Sequence, residues 1–301
     1  MSAPAPAGQP LAGIAVVDKP AGWTSHQVVG RCRRIFGTRK VGHAGTLDPM
    51  ATGILLVGVN RATRLLGHLM LTEKEYAATI RLGIATVTDD AEGETIATPG
   101  CAGVPEAELT SAIATFVGDI LQVPTAVSAI KVDGQRAYAR VRAGEEVALK
   151  ARPVTVHEFT LLGMSESDVD GVPVLDCDVR VRCSSGTYIR ALARDLGALL
   201  DSAGHLTALR RTRVGPFGLD QARPISAETT ELPVLDLATV ARACFPVVEV
   251  DEAGAREVGY GRPLPGISLS GITAVLHRDR FLALYRPGDR GSDAVAEAVF
   301  V

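Results

Sequence analysis

The stretch VLDCDVRVRC, residues 174–183, has the signature of a β-strand with two unlike faces. Leu175, Cys177, Val179, Val181 and Cys183 fall on one side, and Asp176, Asp178, Arg180 and Arg182 on the other. Strict alternation is the side-chain period of a strand, and a charged second face belongs to an antiparallel sheet covered on one side only. Ser184, Ser185 and Gly186 then turn the chain into a helix expected over about 187–201, with Ile189, Leu192, Ala193, Leu196 and Leu200 as its apolar stripe. Toward the N-terminus, Tyr76, Ala78, Ile80 and Leu82 alternate in a second half-buried strand ending near Gly83, while GIAVV (13–17) and GILLVGV (53–59) suit fully buried strands. A helix is expected from Thr24 or Ser25 to about Phe36, with Gly37 at its C-terminal cap. Another runs over 105–117, opening on Pro105 with acids in its first turn. Residues 37–52 and 89–103 have the Gly, Thr and Pro content of loops. Strands and helices mix without a regular βαβ beat, so the fold class is α+β with a mainly antiparallel or mixed sheet.

The chain has 301 residues, 47% of them hydrophobic and 4% aromatic, enough for a large domain and a small one. Pro-rich punctuation at 223–233 and a new strand-rich segment from 246 place a small C-terminal domain at 246–301, after a main domain at 11–245. Residues 1–10 are an Ala/Pro-rich tail with neither the basic region nor the apolar core of a signal peptide, and the tail is expected to be disordered. No apolar run reaches the length of a membrane span. Five cysteines without CxxC spacing, and histidines without HxxxH spacing, argue against a disulfide framework or a zinc site and fit a cytoplasmic protein. Net charge is −3, but the charges are segregated. Lys19, Arg31, Arg33, Arg34, Arg39 and Lys40 form one basic group, and Arg180, Arg182, Arg190, Arg194, Arg210, Arg211 and Arg213 a second. Solvated faces or polyanion surfaces both explain such clusters.

The chemistry concentrates in KVGHAGTLDPMATG, residues 40–53, where glycines, threonines and a proline surround a single aspartate, Asp48. Such a loop lets a ligand approach the backbone and presents Asp48 from a constrained turn. On spacing alone, a structural Asx turn at Asp48–Pro49 is the simpler account. The stretch is no phosphate-binding GxxxxGK[ST] loop, and it holds neither GxGxxG nor GxSxG.

GHAGTLDPMATG resembles the signature of the TruB family of tRNA pseudouridine synthases. DKPAGWTSH (18–26), KEYAATIRLG (74–83), VPTAVSAIKVDGQRAYARVRAGEEV (123–147), CSSGTYIRALARDLG (183–197) and HLTALRRTRVG (205–215) resemble further family segments in the right order, so the resemblance spans about residues 12–215. Trp23 departs mildly from the family pattern. The resemblance implies an isomerase that detaches a uracil from its ribose and rejoins it through carbon, acting on uridine-55 in the T-loop of tRNA without a cofactor or metal. It implies Asp48 as the essential carboxylate, Arg190 as its counter-ion and Tyr76 as the stacking wall for a flipped base. Tyr188, Leu209, His43 and Lys19 join Tyr76 and Arg190 as substrate-binding residues, with Lys19 and Pro20 shaping the cleft; the role of Asp90 stays open. An insertion at about 124–152, carrying Lys131, Arg136, Arg140, Arg142, Lys150 and Arg152 with Gly134 and Gly144 as hinges, is expected to close on RNA. FPVVEVDEAGAREVGYGRPLP (245–265) resembles, loosely, the start of the family's small PUA-like RNA-binding domain. The expected partner is the T-arm of tRNA, bound by a monomer with no obligate protein partner and no membrane. The alternative is an RNA-binding module that chaperones tRNA folding through the same groove and does not need Asp48. A carboxylate-dependent nucleoside or glycoside hydrolase would want a second carboxylate or a metal, which no motif supplies.

Overall fold

The computed structural model describes residues 11–125, 131–132, 135–136, 149–288 and 293–301. The tail 1–10 lies outside the described residues, as does most of the 124–152 insertion, and so do the expectations placed on them.

The principal strands of the main sheet are β1 (Gly13–Lys19), β2 (Val41–Ala44), β3 (Thr52–Val59), β4 (Lys74–Leu82), β5 (Gly118–Gln122), β6 (Arg152–Val169), β7 (Val172–Cys183) and β8 (Gly204–Val214). Their order across the sheet is β1-β3-β8-β4-β7-β6-β5, with β2 and the pair Leu235–Asp236 attached at the β1/β3 end and Arg223–Pro224 beyond β1. Most neighbours are antiparallel; β3 with β8, and β1 with Arg223–Pro224, are parallel, so the sheet is mixed. The alternating residues of β7 are sorted as expected: Leu175, Cys177, Val179, Val181 and Cys183 are buried while Asp178 and Arg180 face water.

Helix α1 (Ser25–Ile35) opens on a complete capping box. Thr24 Oγ1 accepts from the Gln27 N–H and Gln27 Oε1 accepts from the Thr24 N–H. Gly37, at φ +58°, takes the left-handed position after the helix. Helix α2 is short (Leu66–Met70); α3 (Glu106–Ala114) and α4 (Ile189–Leu199) cover one face of the sheet through Leu109, Ile113, Leu192 and Leu196. Strands β1 and β3 are apolar along most of their length because both their faces are covered. Val28, Val29 and Cys32 of α1 pack on Val17, Leu55 and Val57, while Ile14, Val16, Ile54 and Leu56 turn to the opposite side.

That opposite side is capped by a second, five-stranded sheet. Its order is β9 (Val247–Glu249), β10 (Thr273–His277), β11 (Arg280–Pro287), β12 (Asp293–Val299) and then Leu264–Pro265, and it is flanked by α5 (Leu237–Cys244) and α6 (Glu252–Gly259). Leu276, Phe281, Leu284 and Phe300 share one apolar cluster with Ile54 and Leu56. Among the described residues, no helix is long and apolar enough to cross a membrane.

Two local expectations need correction. Residues 37–52 are not all loop, because Val41–Ala44 pairs with β3. The 89–103 stretch contains a short strand, Thr95–Ala97, paired with Ala85–Thr86. For the second basic group the structure separates the members: Arg180 pairs with Glu158, Arg182 with Glu73 and Arg210 with Asp18, while Arg190 and Arg211 are buried.

Candidate active site

The 45–51 loop that carries Asp48 is held from three sides by buried side chains of other elements. Ser25 Oγ, at the start of α1, accepts from the Leu47 N–H (2.9 Å) and donates to the Leu47 carbonyl (3.1 Å). Lys19, at the end of β1 and fully buried, donates to the carbonyls of Pro20 (2.9 Å), Trp23 (2.6 Å) and Pro49 (3.1 Å). Burial lowers the Lys19 ammonium to about 8, against the opposing pull of the Asp48 charge. Arg211 on β8 donates to the carbonyls of Ile54 (2.7 Å), Gly45 (3.1 Å) and Thr46 (3.4 Å), bridging both ends of the loop. Pro49 occupies the second position of a turn closed by the Ala51 N–H on the Asp48 carbonyl (3.1 Å).

Asp48 itself turns to Arg190 instead of closing an Asx turn. Arg190 Nε lies 3.0 Å from Asp48 Oδ2, and Nη1 lies 3.4 Å from Asp90 Oδ2 and donates to the Thr88 carbonyl at 2.7 Å. The Arg190 and Asp90 side chains are 6% and 4% exposed, while Asp48 keeps 35% where it meets the pocket. One guanidinium therefore serves two carboxylates. Burial pushes the Asp48 carboxyl above its usual range; Arg190 pulls it down, and the Asp90 charge pushes it further up. The role of Asp90, open from sequence, is structural at this level: with Thr88, it fixes one end of Arg190. The loop that presents Asp90 is anchored at Asp89, which sits at φ +57°, accepts the Leu206 N–H on its carbonyl (3.1 Å) and meets Arg194 at 3.3 Å. Burial pushes the Asp89 carboxyl up to about 6, with Arg194 opposing.

Asp48, Tyr76, Tyr188, Arg190 and Leu209 line one cavity of about 380 Å³, together with Lys74, Arg211, Met70, Leu71 and the 185–187 turn. Tyr76 stands on the inward face of β4 and Leu209 on that of β8, both 7% exposed, and they supply apolar lining to the cavity that Asp48 also lines. Burial raises the Tyr76 phenol, while a hydrogen bond with Arg211 lowers it. Tyr188 is the residue immediately before α4.

Two of the residues expected to bind substrate do not line this cavity. Lys19 lies beneath the loop with its ammonium committed to three carbonyls, and it does not line the cavity. His43 sits on β2, 5.8 Å from the His26 ring, also outside the cavity lining; its buried Nδ1 has no hydrogen-bond partner among the described residues, and burial lowers its pKa. Sequence reasoning missed Arg211 and Lys74. Both are buried cavity residues, and Lys74 donates to the carbonyls of Met70 (2.8 Å) and Thr72 (2.7 Å), with burial lowering it to about 8. The available signal was register: in a strand, Arg211 shares a face with Leu209, and Lys74 with Tyr76.

Chemically, the cavity offers an ionisable carboxylate held by a guanidinium, together with an aromatic ring and a leucine in its lining. That arrangement can stabilise or attack an electron-poor sugar carbon or ring while a planar base rests against that lining. Among the described residues, no cluster of His, Cys, Asp or Glu is arranged to hold a metal ion.

Comparison with known proteins gives the same picture. The chain is 55% identical over 277 residues to the tRNA pseudouridine synthase B of Arthrobacter sp. (strain FB24), covering 92% of this chain and 90% of the relative. It is 59% identical over 245 residues to that of Streptomyces griseus, covering 81% and 82%. Among solved structures it is similar to a chain of an H/ACA RNP bound to a substrate RNA containing 2'-deoxyuridine, with TM-score 0.68, 25% identity and coverage of 96% of this chain and 85% of that one. Residues 33–189 match the N-terminal domain model of the TruB family pseudouridylate synthases, and residues 190–233 match the tRNA pseudouridylate synthase B C-terminal domain. With Asp48, Arg190, Tyr76 and Leu209 gathered in one cavity and the match running through all of them, the chain belongs to the TruB family of pseudouridylate synthases.

Proposed function

We propose that this protein isomerises uridine-55 in the T-loop of tRNA to pseudouridine, with Asp48 as the essential carboxylate. The observation that carries the reading is the Asp48–Arg190 pair at 3.0 Å, opening into a cavity walled by Tyr76 and Leu209. A uridine inside a folded loop is out of reach until it leaves its stack, and an aromatic or apolar wall compensates the lost stacking. Tyr76 and Leu209 supply that wall, and Tyr188 contacts the base from the α4 side.

The reaction breaks the N1–C1′ bond, forms C5–C1′, and exchanges the C5 proton for one at N1. Nothing is added and no electrons are lost, so the site has only to stabilise the separated sugar and base and to hold the base while it turns. Asp48 performs the first task when ionised. Arg190 favours that ionised form and aims it, and Asp90 and Thr88 in turn hold Arg190. Whether the carboxylate bonds to C1′, adds to the ring or takes a sugar proton, the same geometry serves.

RNA is delivered by phosphate contacts. Arg33, Arg34, Arg39 and Lys40 are exposed on α1 and the turn after it, on the side from which the chain enters the Asp48 loop. Such contacts position RNA without reading its sequence. His43, with its unpartnered Nδ1, lies between that basic turn and the catalytic loop and contacts the nucleotides next to the flipped base. The 246–301 sheet is a PUA-like module that touches the tRNA outside the T-loop. The protein acts as a monomer in the cytoplasm. The test is site-resolved: an unmodified tRNA transcript should gain pseudouridine at position 55 alone, and a transcript with cytidine at that position should gain none. Product elsewhere would overturn the assignment of the target.

A further inference from the structure

Gln122 ends β5 and is 2% exposed. Its carboxamide meets the backbone of a single residue twice, accepting the Tyr188 N–H on Oε1 at 2.8 Å and donating Nε2 to the Tyr188 carbonyl at 3.0 Å. This copies the two-bond pairing of neighbouring strands, made here by a side chain. Its target is the residue that starts α4, and that start is intrinsically poor. Tyr188 occupies the N-cap with no side-chain cap bond, and Arg190, two residues on, places a cation at the positive end of the helix dipole. A helix that begins this way does not hold its first turn in place by itself. A second tie from the same strand end supports it: Arg194, one turn further along α4, donates Nη2 to the Val123 carbonyl at 2.8 Å.

We propose that Gln122 is a positioning residue for the reaction, gripping the Tyr188 backbone on both sides of its Cα so that the Tyr188 and Arg190 side chains enter the cavity in register with Asp48. Gln122 does not itself line the cavity; it acts through the backbone of the residue that does. The proposal rests on the reading of Asp48 and Arg190 as the reacting pair. It also ties the strand end that leads into the 124–152 region to the catalytic arginine, because Gln122 is paired with Arg152 across β5 and β6.

The experiment uses full-length protein and tRNA transcript with Gln122→Asn, one methylene too short to reach both groups, and Gln122→Glu, which keeps the acceptor and loses the donor. The expected result is a single-turnover rate reduced by about 10–100-fold for Asn, the scale of a small misplacement at the reacting centre, and by less for Glu. Affinity for tRNA should stay within about twofold, since the phosphate contacts are untouched. Because Arg190 holds the Asp48 carboxyl down, loosening it should also move the acid limb of kcat/KM to higher pH. Combined with Arg190→Lys, the loss should be smaller than the product of the two single losses. Unchanged rates in both variants would overturn the proposal. So would a loss of thermal midpoint or tRNA affinity with an unmoved acid limb, which marks a purely structural residue. Asp48→Asn run alongside separates the two levels: an active Asp48→Asn protein would sink the reading beneath, whereas an inactive one beside normal Gln122 variants would sink this proposal alone.

Discussion

Replacing Arg211 by methionine should cost both stability and rate, and the structure sets the scale. The side chain is 1% exposed and holds the Ile54 carbonyl at 2.7 Å and the Gly45 carbonyl at 3.1 Å, with Thr46 at a weaker 3.4 Å. Hydrogen bonds from a charged donor contribute about 1.5–3 kcal/mol each, so the two good ones give roughly 3–6 kcal/mol before offsets. Removing a buried cation that no carboxylate among the described residues neutralises returns part of this, and methionine keeps most of the volume. A net destabilisation of about 2–3 kcal/mol follows, which lowers the thermal midpoint by about 4–12 °C in a chain of this size. The larger effect falls on the reaction. Arg211 bridges the two ends of the loop that presents Asp48, and a displacement of about 1 Å there is worth on the order of 100-fold in rate. Arg211→Lys keeps the charge and can reach one carbonyl, so it should fall between the wild type and methionine on both measures. The assay is thermal unfolding beside single-turnover pseudouridine formation on a tRNA transcript. A methionine variant with a midpoint within about 1 °C of wild type and an unchanged rate would refute the account of how the loop is held.

Other expectations follow from the same geometry. On the proposed mechanism Asp48 acts in its ionised form, and its carboxyl is raised, so kcat/KM should fall as pH drops through that raised value. Asp90→Asn removes one of the raising charges while Thr88 still holds Arg190, so the acid limb should move to lower pH; a shift to higher pH would contradict this. Asp89 titrates near 6 when folded, above its unfolded value, so its contribution is fully present below the unfolded value and is lost as pH rises through about 6. Asp89→Asn, which also tolerates the left-handed backbone, should therefore gain stability relative to wild type between about pH 4 and 6, by at most ~3 kcal/mol, and hold that difference above; thermal midpoints across pH check it, and a difference flat with pH would count against it. Gly53 sits at φ +99° with the Arg211 carbonyl 2.2 Å from where a Cβ would stand, so Gly53→Ala should lower the midpoint by several degrees, and a neutral substitution would mean that β3 and β8 do not meet as described.

Where side chains followed one period, the elements were legible in the sequence: β1, β3, β4, β7, α1, α3 and α4 all stand where alternation, helical spacing and caps put them. The 18-residue strand β6 was not. Its pairing with β7 shifts register between Val156 and Glu158 and again between Leu161 and Gly163, and beyond Phe159 it runs mostly exposed, so no alternation survives. The one cue was Asp170–Gly171, both at positive φ, which makes the two-residue turn of that hairpin. Strand β8 hid for a related reason, because bulges near Thr207 and Thr212 interrupt its pattern and its inward side includes an arginine. At the site, Asp48, Tyr76, Arg190 and Leu209 were found through resemblance, and geometry brings them into one cavity. The buried cations behaved differently. Lys19 and Arg211 satisfy backbone carbonyls of a loop distant in sequence, and Lys74 those of the turn just before its own strand; a charged residue carries no local sign that it will do so.

The most direct measurement of the central claim is the yield of pseudouridine from Asp48→Asn with saturating tRNA. The substitution keeps the shape of the side chain and removes the charge that Arg190 faces at 3.0 Å. The account predicts no detectable product while tRNA is still bound with near wild-type affinity. Product formation by the asparagine protein at a rate approaching the wild type would contradict it.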